Sequence, residues 1–268
     1  MIVGNLNRGL AILELLARNA PGLPMHEIAE RLQIPRSATH RLLTELVQCG
    51  YVRQEQDYGR YLLSMKMCTL GLTQLSRSGI VEIVQPFLDQ LAEISGEMVR
   101  LGLVDNGQLV WVAKAQGSSS WLRFDPDMGG TAELASTASG HAYLCTLSDE
   151  IAVELVNKQG GFVLTDDHGQ NIPKTIVELL NHLKVTRERG FSILAEAVHT
   201  GIAAVAAPVR HISTGQALGT LSIAGPSMRL TDEKMMALGP VLIETAENLS
   251  ASAAASPMLN KAAISLKN

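Results

Sequence analysis

MHEIAERLQIPRSATHRLLTELV, residues 25–47, reads as two short helices joined by a tight turn. Ile28 and Leu32 lie four apart and share one helical face, with Ala29 beside them. Gln33-Ile34-Pro35 then breaks the pattern, because proline biases the residue before it out of the α region yet suits the first turn of a new helix. The second helix is expected to carry Leu42, Leu43, Leu46 and Val47 inward and Arg36, Ser37, His40 and Arg41 outward. Small Ala29 is what a close crossing of two helices requires. This is the pattern of a helix-turn-helix, whose second helix enters the DNA major groove. The plainer alternative is a helical hairpin with solvated charges, and the flanking sequence argues against it.

Cys49-Gly50 ends the second helix, and YVRQ (51–54) and RYLL (60–63) are strand-like runs separated by EQDYG, where Gly59 can take a positive φ. A hairpin directly after a recognition helix is a wing, and Arg53 and Arg60 stand where a wing reaches phosphates. Upstream, Leu6, Leu10, Leu13 and Ala17 recur at helical spacing and predict a third helix closing this small core. Charge follows the same division. Residues 1–78 hold 9 Lys+Arg and 6 Asp+Glu, a surplus of +3, whereas residues 79–268 sum to −7 of the total −4. Phosphate contacts dominate affinity for DNA, so basic character belongs in the DNA-reading part.

The chain of 268 residues has room for two domains, and 46% hydrophobic content supports real cores. Gly, Ser, Thr or charged residues interrupt every apolar run, so no membrane span is expected. MIVGNLNRGL lacks the basic region and apolar core of a secretion signal. Cys49, Cys68 and Cys145 are odd in number and widely spaced, which fits a reducing cytoplasm and neither a disulfide framework nor a metal site.

Residues 64–96 connect the two parts. Met65, Leu70, Leu72 and Leu75 are loosely helical, and Ile80, Val84, Phe87, Leu88, Leu91 and Ile94 mark a stronger amphipathic helix from about 80 to 95, interrupted by Pro86. Beyond it, MVRLGLVD (98–105) and QLVWVAKA (108–115) flank Asn106-Gly107, a strong hairpin signal. WLRF (121–124) reads as a short strand, TASGHAYLCTLS (137–148) and IVELLNHLKVTRERG (176–190) as helices, and GIAAVAAPVRH and ALGTLSIAGP as two apolar strands around Ser213-Thr214-Gly215. A last helix spans about 232–251. The expected class is α+β: a winged helix-turn-helix (1–66), a linker with a helix (67–96), a sheet-and-helix domain (97–250) and a loose tail (251–268).

The order of these segments resembles the IclR family of bacterial transcription regulators. RGLAILELLA (8–17), EIAERLQIPRSATHRLLTELVQCGYV and GRYLL are similar to its DNA-binding half. In the second half TASGHAYL is similar to its helix opening. Arg189, Gly190, Phe191, Glu196, Gly201, Ala207, Pro208 and Val209 resemble its signature, and LSIAGP (221–226) resembles its closing strand. Two positions depart from the pattern: Gln33 replaces the usual turn glycine, and Thr39 replaces an apolar residue. The resemblance implies a GAF-like C-terminal domain with an antiparallel sheet and flanking helices. It also implies homodimers or homotetramers on palindromic or repeated double-stranded DNA operators, and regulation by a small organic acid. Arg8, Arg36, Ser37, Thr39, His40, Arg41 and Arg60 are then the expected DNA contacts.

In relatives of this kind the ligand carboxylate meets main-chain N–H groups at the TASG-like helix start, matched here by Ala138, Ser139 and Gly140. The polar strand residues opposite are replaced by Leu194, Ala204 and Ala224, and only Ser222 keeps a polar group. Burying a polar ligand group against Leu and Ala costs roughly 1–3 kcal/mol. The expected effector is therefore an aromatic carboxylate ahead of a small aliphatic keto acid. Trp121, Met128 and Leu134 are candidate apolar or stacking surface, and Arg123 a candidate partner for the carboxylate.

The competing reading is an enzyme. His141 and Cys145 lie four apart near Ser139, as a nucleophile pair could, and Asp166-Asp167-His168 could ligate metal. Neither group has a third member at a recognisable spacing, and no phosphate-binding Gly-Lys-Ser loop or His-Glu-x-x-His helix occurs. No catalysis and no cofactor are expected. A purely structural DNA-bridging role fits poorly with an acidic second domain built on apolar strands.

Overall fold

A computed structural model describes residues 4–162, 169, 171–197 and 199–252. The chain forms two compact units, residues 1–77 and 78–268.

The first unit contains α1 (Asn5–Ala17), β1 (Leu23–Pro24), α2 (Met25–Arg31), α3 (Arg36–Gln48), β2 (Val52–Gln54), β3 (Arg60–Leu63) and α4 (Met65–Ser78). Ile12, Leu16, Ile28, Leu42, Leu43, Val52 and Tyr61 form its core. The helix-turn-helix and wing stand as read from sequence. The buried face of α1 does not: Gly9, Ile12, Leu13 and Leu16 point inward, while Leu6 and Leu10 are 75% and 49% exposed. LNRGLAILELLA carries two overlapping apolar registers, and packing against α3 and β3 selects the second. Val47, expected inward, is also exposed. The hairpin gains a third strand the sequence reading lacked, since Leu23 pairs with Tyr61 and gives the order β1-β3-β2.

The second unit contains α5 (Ile80–Ser95), β4 (Met98–Asp105), β5 (Gln108–Gln116), α6 (Ala138–Leu144), α7 (Asp149–Gln159), α8 (Ile176–Arg189), β6 (Ser192–Ala195), β7 (Ile202–Arg210), β8 (Ala217–Pro226) and α9 (Asp232–Ser252). Its five strands are antiparallel in the order β5-β4-β8-β7-β6. Asn106 and Gly107 both take positive φ, 49° and 78°, as a two-residue hairpin turn requires. The helix α6 packs on β6, β7 and β8, with α8 beside it, while α5 and α9 pack together and against the sheet.

The stretch 67–96 read as a linker is shared between the units. The helix α4 falls almost wholly in the first, and α5 buries Ile80, Val84, Leu88 and Leu91 in the second. Residues 121–124 form bends and coil, with no strand. The helix expected over 137–148 is shorter, since α6 stops at Leu144, and a separate helix follows it, α7, capped by the Ser148 hydroxyl accepting from the Ile151 N–H. The sequence reading missed α7, whose weak apolar period hides behind its cap. Residues 253–268, most of the expected tail, lie outside the described residues.

Candidate functional site

Two places carry chemistry, one in each unit. In the first, Arg36, Ser37, His40 and Arg41 are all exposed along α3. Thr39, expected among them, is instead buried, and its hydroxyl donates to the Pro35 carbonyl at 3.2 Å. It fills the slot of an apolar residue and satisfies its own polar group on the turn before it. Gln33 in that turn has φ 54°, the left-handed conformation glycine adopts most easily. Arg60 is exposed at the base of the wing, where its carbonyl accepts from the Glu55 N–H at 2.8 Å, and Arg53 is exposed on β2. Arg8 is half-buried on α1.

In the second unit a cavity of about 200 Å³ lies between the sheet and the start of α6. Its floor is set by strand register. Leu194, Ala204 and Ala224 are paired across β6, β7 and β8, and the neighbouring row runs from Arg100 on β4 to Ser222 on β8. Thr137, Ala138 and Ser139 form the opposite wall. That wall is held in place by several contacts. The Ser192 hydroxyl donates to the Ala138 carbonyl at 2.5 Å, and the Gln159 amide bridges the Leu134 N–H and the Ala132 carbonyl. Gly140 has a steric reason: a Cβ there would lie 2.4 Å from the Leu134 carbonyl oxygen.

Ala138, Ser139, Leu194, Ala204, Ser222 and Ala224 thus meet at one cavity as the sequence reading expected. The other five candidates do not line it. Trp121 is 92% exposed, and Arg123 is a surface residue paired with Asp125 at 3.4 Å. Leu134 is core, and Met128 packs against the same core cluster. The Gly140 N–H already donates to Thr137 Oγ1 at 2.9 Å, so α6 has at most its first two amides to offer.

The sequence reading missed Arg100, Trp111, Phe124 and His199, all of which line the cavity. Arg100 lies over the Trp111 ring at 3.8 Å, with Phe124 at 5.7 Å, and burial pushes its guanidinium down to about 10. Its Nε, like the Ser222 hydroxyl, is buried without a hydrogen-bond partner. A signal was present in sequence: in MVRLGLVD a cation stands among apolar residues of a strand buried on both faces.

The candidate catalytic residues are placed differently. Cys145 is buried, its thiol is pushed up by that burial, and Sγ donates to the Ala142 carbonyl. His141 is buried with Nε2 on the Ala135 carbonyl at 2.8 Å, and desolvation pushes it down to about 4. An uncharged thiol beside an engaged imidazole is a poor nucleophile. Asp166, Asp167 and His168 lie outside the described residues, among which no metal-binding cluster occurs. No helix of the described residues is long and apolar enough to cross a membrane.

Comparison with known proteins gives a consistent answer across nearly the whole chain. Residues 5–56 match the IclR helix-turn-helix domain, and residues 72–251 match the bacterial transcriptional regulator IclR C-terminal domain. The acetate operon repressor of Salmonella typhimurium is 30% identical, covering 92% of this chain and 89% of that one. Among solved structures, an IclR transcriptional regulator from Alicyclobacillus acidocaldarius superposes with a TM-score of 0.79 at 21% identity, covering 93% of this chain and 98% of that one. An IclR homolog from Microbacterium hydrocarbonoxydans, solved with 4-hydroxybenzoate, gives a TM-score of 0.75 at 19% identity, covering 94% and 100%.

Proposed function

The chain belongs to the IclR family of bacterial transcriptional regulators, and from that premise we propose that it is a repressor released or strengthened at its operator by a small organic acid. The observation that carries the acid-binding half is the lining of the 78–268 cavity: an apolar row of Leu194, Ala204 and Ala224 beside a few polar groups. Its volume of about 200 Å³ is below the roughly 300–1,000 Å³ of drug-sized sites, so it suits a metabolite. An aliphatic keto acid would set its carbonyl against Leu and Ala, whereas an aromatic ring would exchange water for apolar contact. The 4-hydroxybenzoate held by the Microbacterium homolog supports this as something the fold can accommodate.

The DNA-reading half of the proposal takes Arg36, Ser37, His40 and Arg41 on α3 as base or phosphate contacts, with Arg60 in the wing and Arg8 on α1 as further candidates for backbone contact. A homodimer or homotetramer would set two α3 helices about 34 Å apart, one turn of DNA.

The test is operator binding by the full chain, on a duplex selected from random sequence, with and without 4-hydroxybenzoate or pyruvate. The aromatic acid should change operator affinity, and operator DNA should change acid affinity by the same factor. Operator affinity indifferent to both acids would remove the effector reading. Tighter binding of pyruvate would reverse the ligand class.

A further inference from the structure

The cavity contains a charged group with no ion-pair partner among the described residues, although Glu133 also lines the cavity. Arg100 lines it from β4, and among the described residues no carboxylate comes within ion-pair distance of its guanidinium. Arg100 is half-buried with its Nε fully covered and unpartnered, and covered cationic groups are ordinarily paired, since an unpaired one forfeits hydration without return. The Trp111 ring, 3.8 Å from the guanidinium carbon, compensates part of that loss through its π face. A guanidinium carries all five N–H donors in the edge of its plane, so a ring against its face leaves them for other partners. One strand across the sheet, Ser222 is paired with Arg100 in the β4–β8 register. It is 2% exposed, and its hydroxyl makes no hydrogen bond.

We propose that Arg100 and Ser222 together seat the carboxylate of the effector on the sheet side of the cavity. This rests on the reading of the cavity as an organic-acid site and moves the anion away from the start of α6. That helix has only seven residues, and its Gly140 N–H is already taken by Thr137. A planar carboxylate matches the guanidinium edge in two parallel N–H···O bonds, and the Ser222 hydroxyl can add a third. The apolar body of the ligand then lies over Ala204, Ala224 and Leu194. Arg100 is thereby the residue that selects an acid over its neutral analogues, and the apolar row selects its size.

The experiment is calorimetry on the full chain with 4-hydroxybenzoate and with its uncharged analogue 4-hydroxybenzamide. The unsubstituted chain should prefer the acid. Arg100→Gln should weaken acid binding on the order of 10- to 100-fold, as expected for a charge-assisted pair, and leave amide binding nearly unchanged. Arg100→Lys should recover part of the loss, and Ser222→Ala should weaken the acid several-fold. A merely structural Arg100 would lower affinity for acid and amide together. If Arg100→Gln does not fold, Arg100→Lys and Ser222→Ala carry the test, and undiminished acid affinity in both overturns the proposal. Acid binding by Arg100→Gln equal to that of the unsubstituted chain would overturn the Arg100 assignment and leave the cavity reading standing. Failure of the unsubstituted chain to bind 4-hydroxybenzoate, benzoate or pyruvate would remove the cavity reading, and this assignment with it.

Discussion

At the scale of single residues, the informative positions are those where local preference and native environment disagree. Gln33 holds φ 54° in the turn between α2 and α3, where an L side chain crowds its own backbone. Gln33→Gly should therefore raise stability by up to about 1 kcal/mol, the strain relief exceeding the added freedom of the unfolded chain. A lower denaturant midpoint for that variant would contradict the argument. His141 is the second case. Desolvation, and to a smaller degree His182, hold its folded value at about 4 against 6.5 unfolded, although the bond to Ala135 pulls the other way. The folded state keeps the neutral ring, so its stabilisation is fully present above pH 6.5 and is lost as pH falls toward 4. One unit corresponds to about 1.4 kcal/mol, so the loss over this window is on the order of 3 kcal/mol. Denaturation of the His141→Gln variant should show a flatter pH dependence between 6.5 and 4. Parallel curves for the two proteins would reject this.

At the scale of elements, the recognition helix and the wing should behave differently. Arg36 and His40 are exposed on α3, the proposed recognition helix, and a good base contact in the major groove discriminates by roughly 1–3 kcal/mol. Arg36→Ala and His40→Ala should weaken operator binding more than binding to unrelated duplex. Arg60→Ala, in the wing, should weaken both alike and reduce the salt dependence of binding. Equal operator affinity in an Arg36/His40 double alanine variant would remove the assignment of α3. Elements also explain which predictions were accessible from sequence. The hairpin at 98–116 was legible because Asn-Gly and period-two alternation are local signals. The face of α1 and the absence of a strand at 121–124 were not, because partners distant in sequence decide them.

At the scale of the molecule, each unit has its own core, so the two are expected to unfold in separable steps. One ion pair bears on the second unit alone. Glu97, buried at the head of β4, accepts a bidentate pair from Arg229, at 2.6 Å to Nε and 2.8 Å to Nη2. Arg229 also donates to the Leu122 carbonyl, tying the segment before Phe124 to the strand. Glu97→Ala leaves Arg229 without its partner and should cost roughly 3–5 kcal/mol. Calorimetric scanning should show only the transition of residues 78–268 moving down, and a bound acid at 100 times its dissociation constant should move that same transition up by about 2.7 kcal/mol. Movement of both transitions together would show that the cores are not independent.

What the sequence determined by itself was everything written in short-range pattern: the helix-turn-helix, the wing, the α+β alternation and the segments resembling a known family. The family resemblance pointed to eleven cavity candidates, of which six meet at the cavity, brought together by the strand register and the Thr137-capped helix start. Only the tertiary structure decided that Trp121 and Arg123 lie on the surface, that Thr39 is core, and that the half-buried Arg100 stands beside Ser222. The last of these depends on a strand pairing between residues more than a hundred positions apart. A sequence states what each side chain can do, while burial, and with it the energetic weight of a charge or hydroxyl, is set only when distant strands close over it.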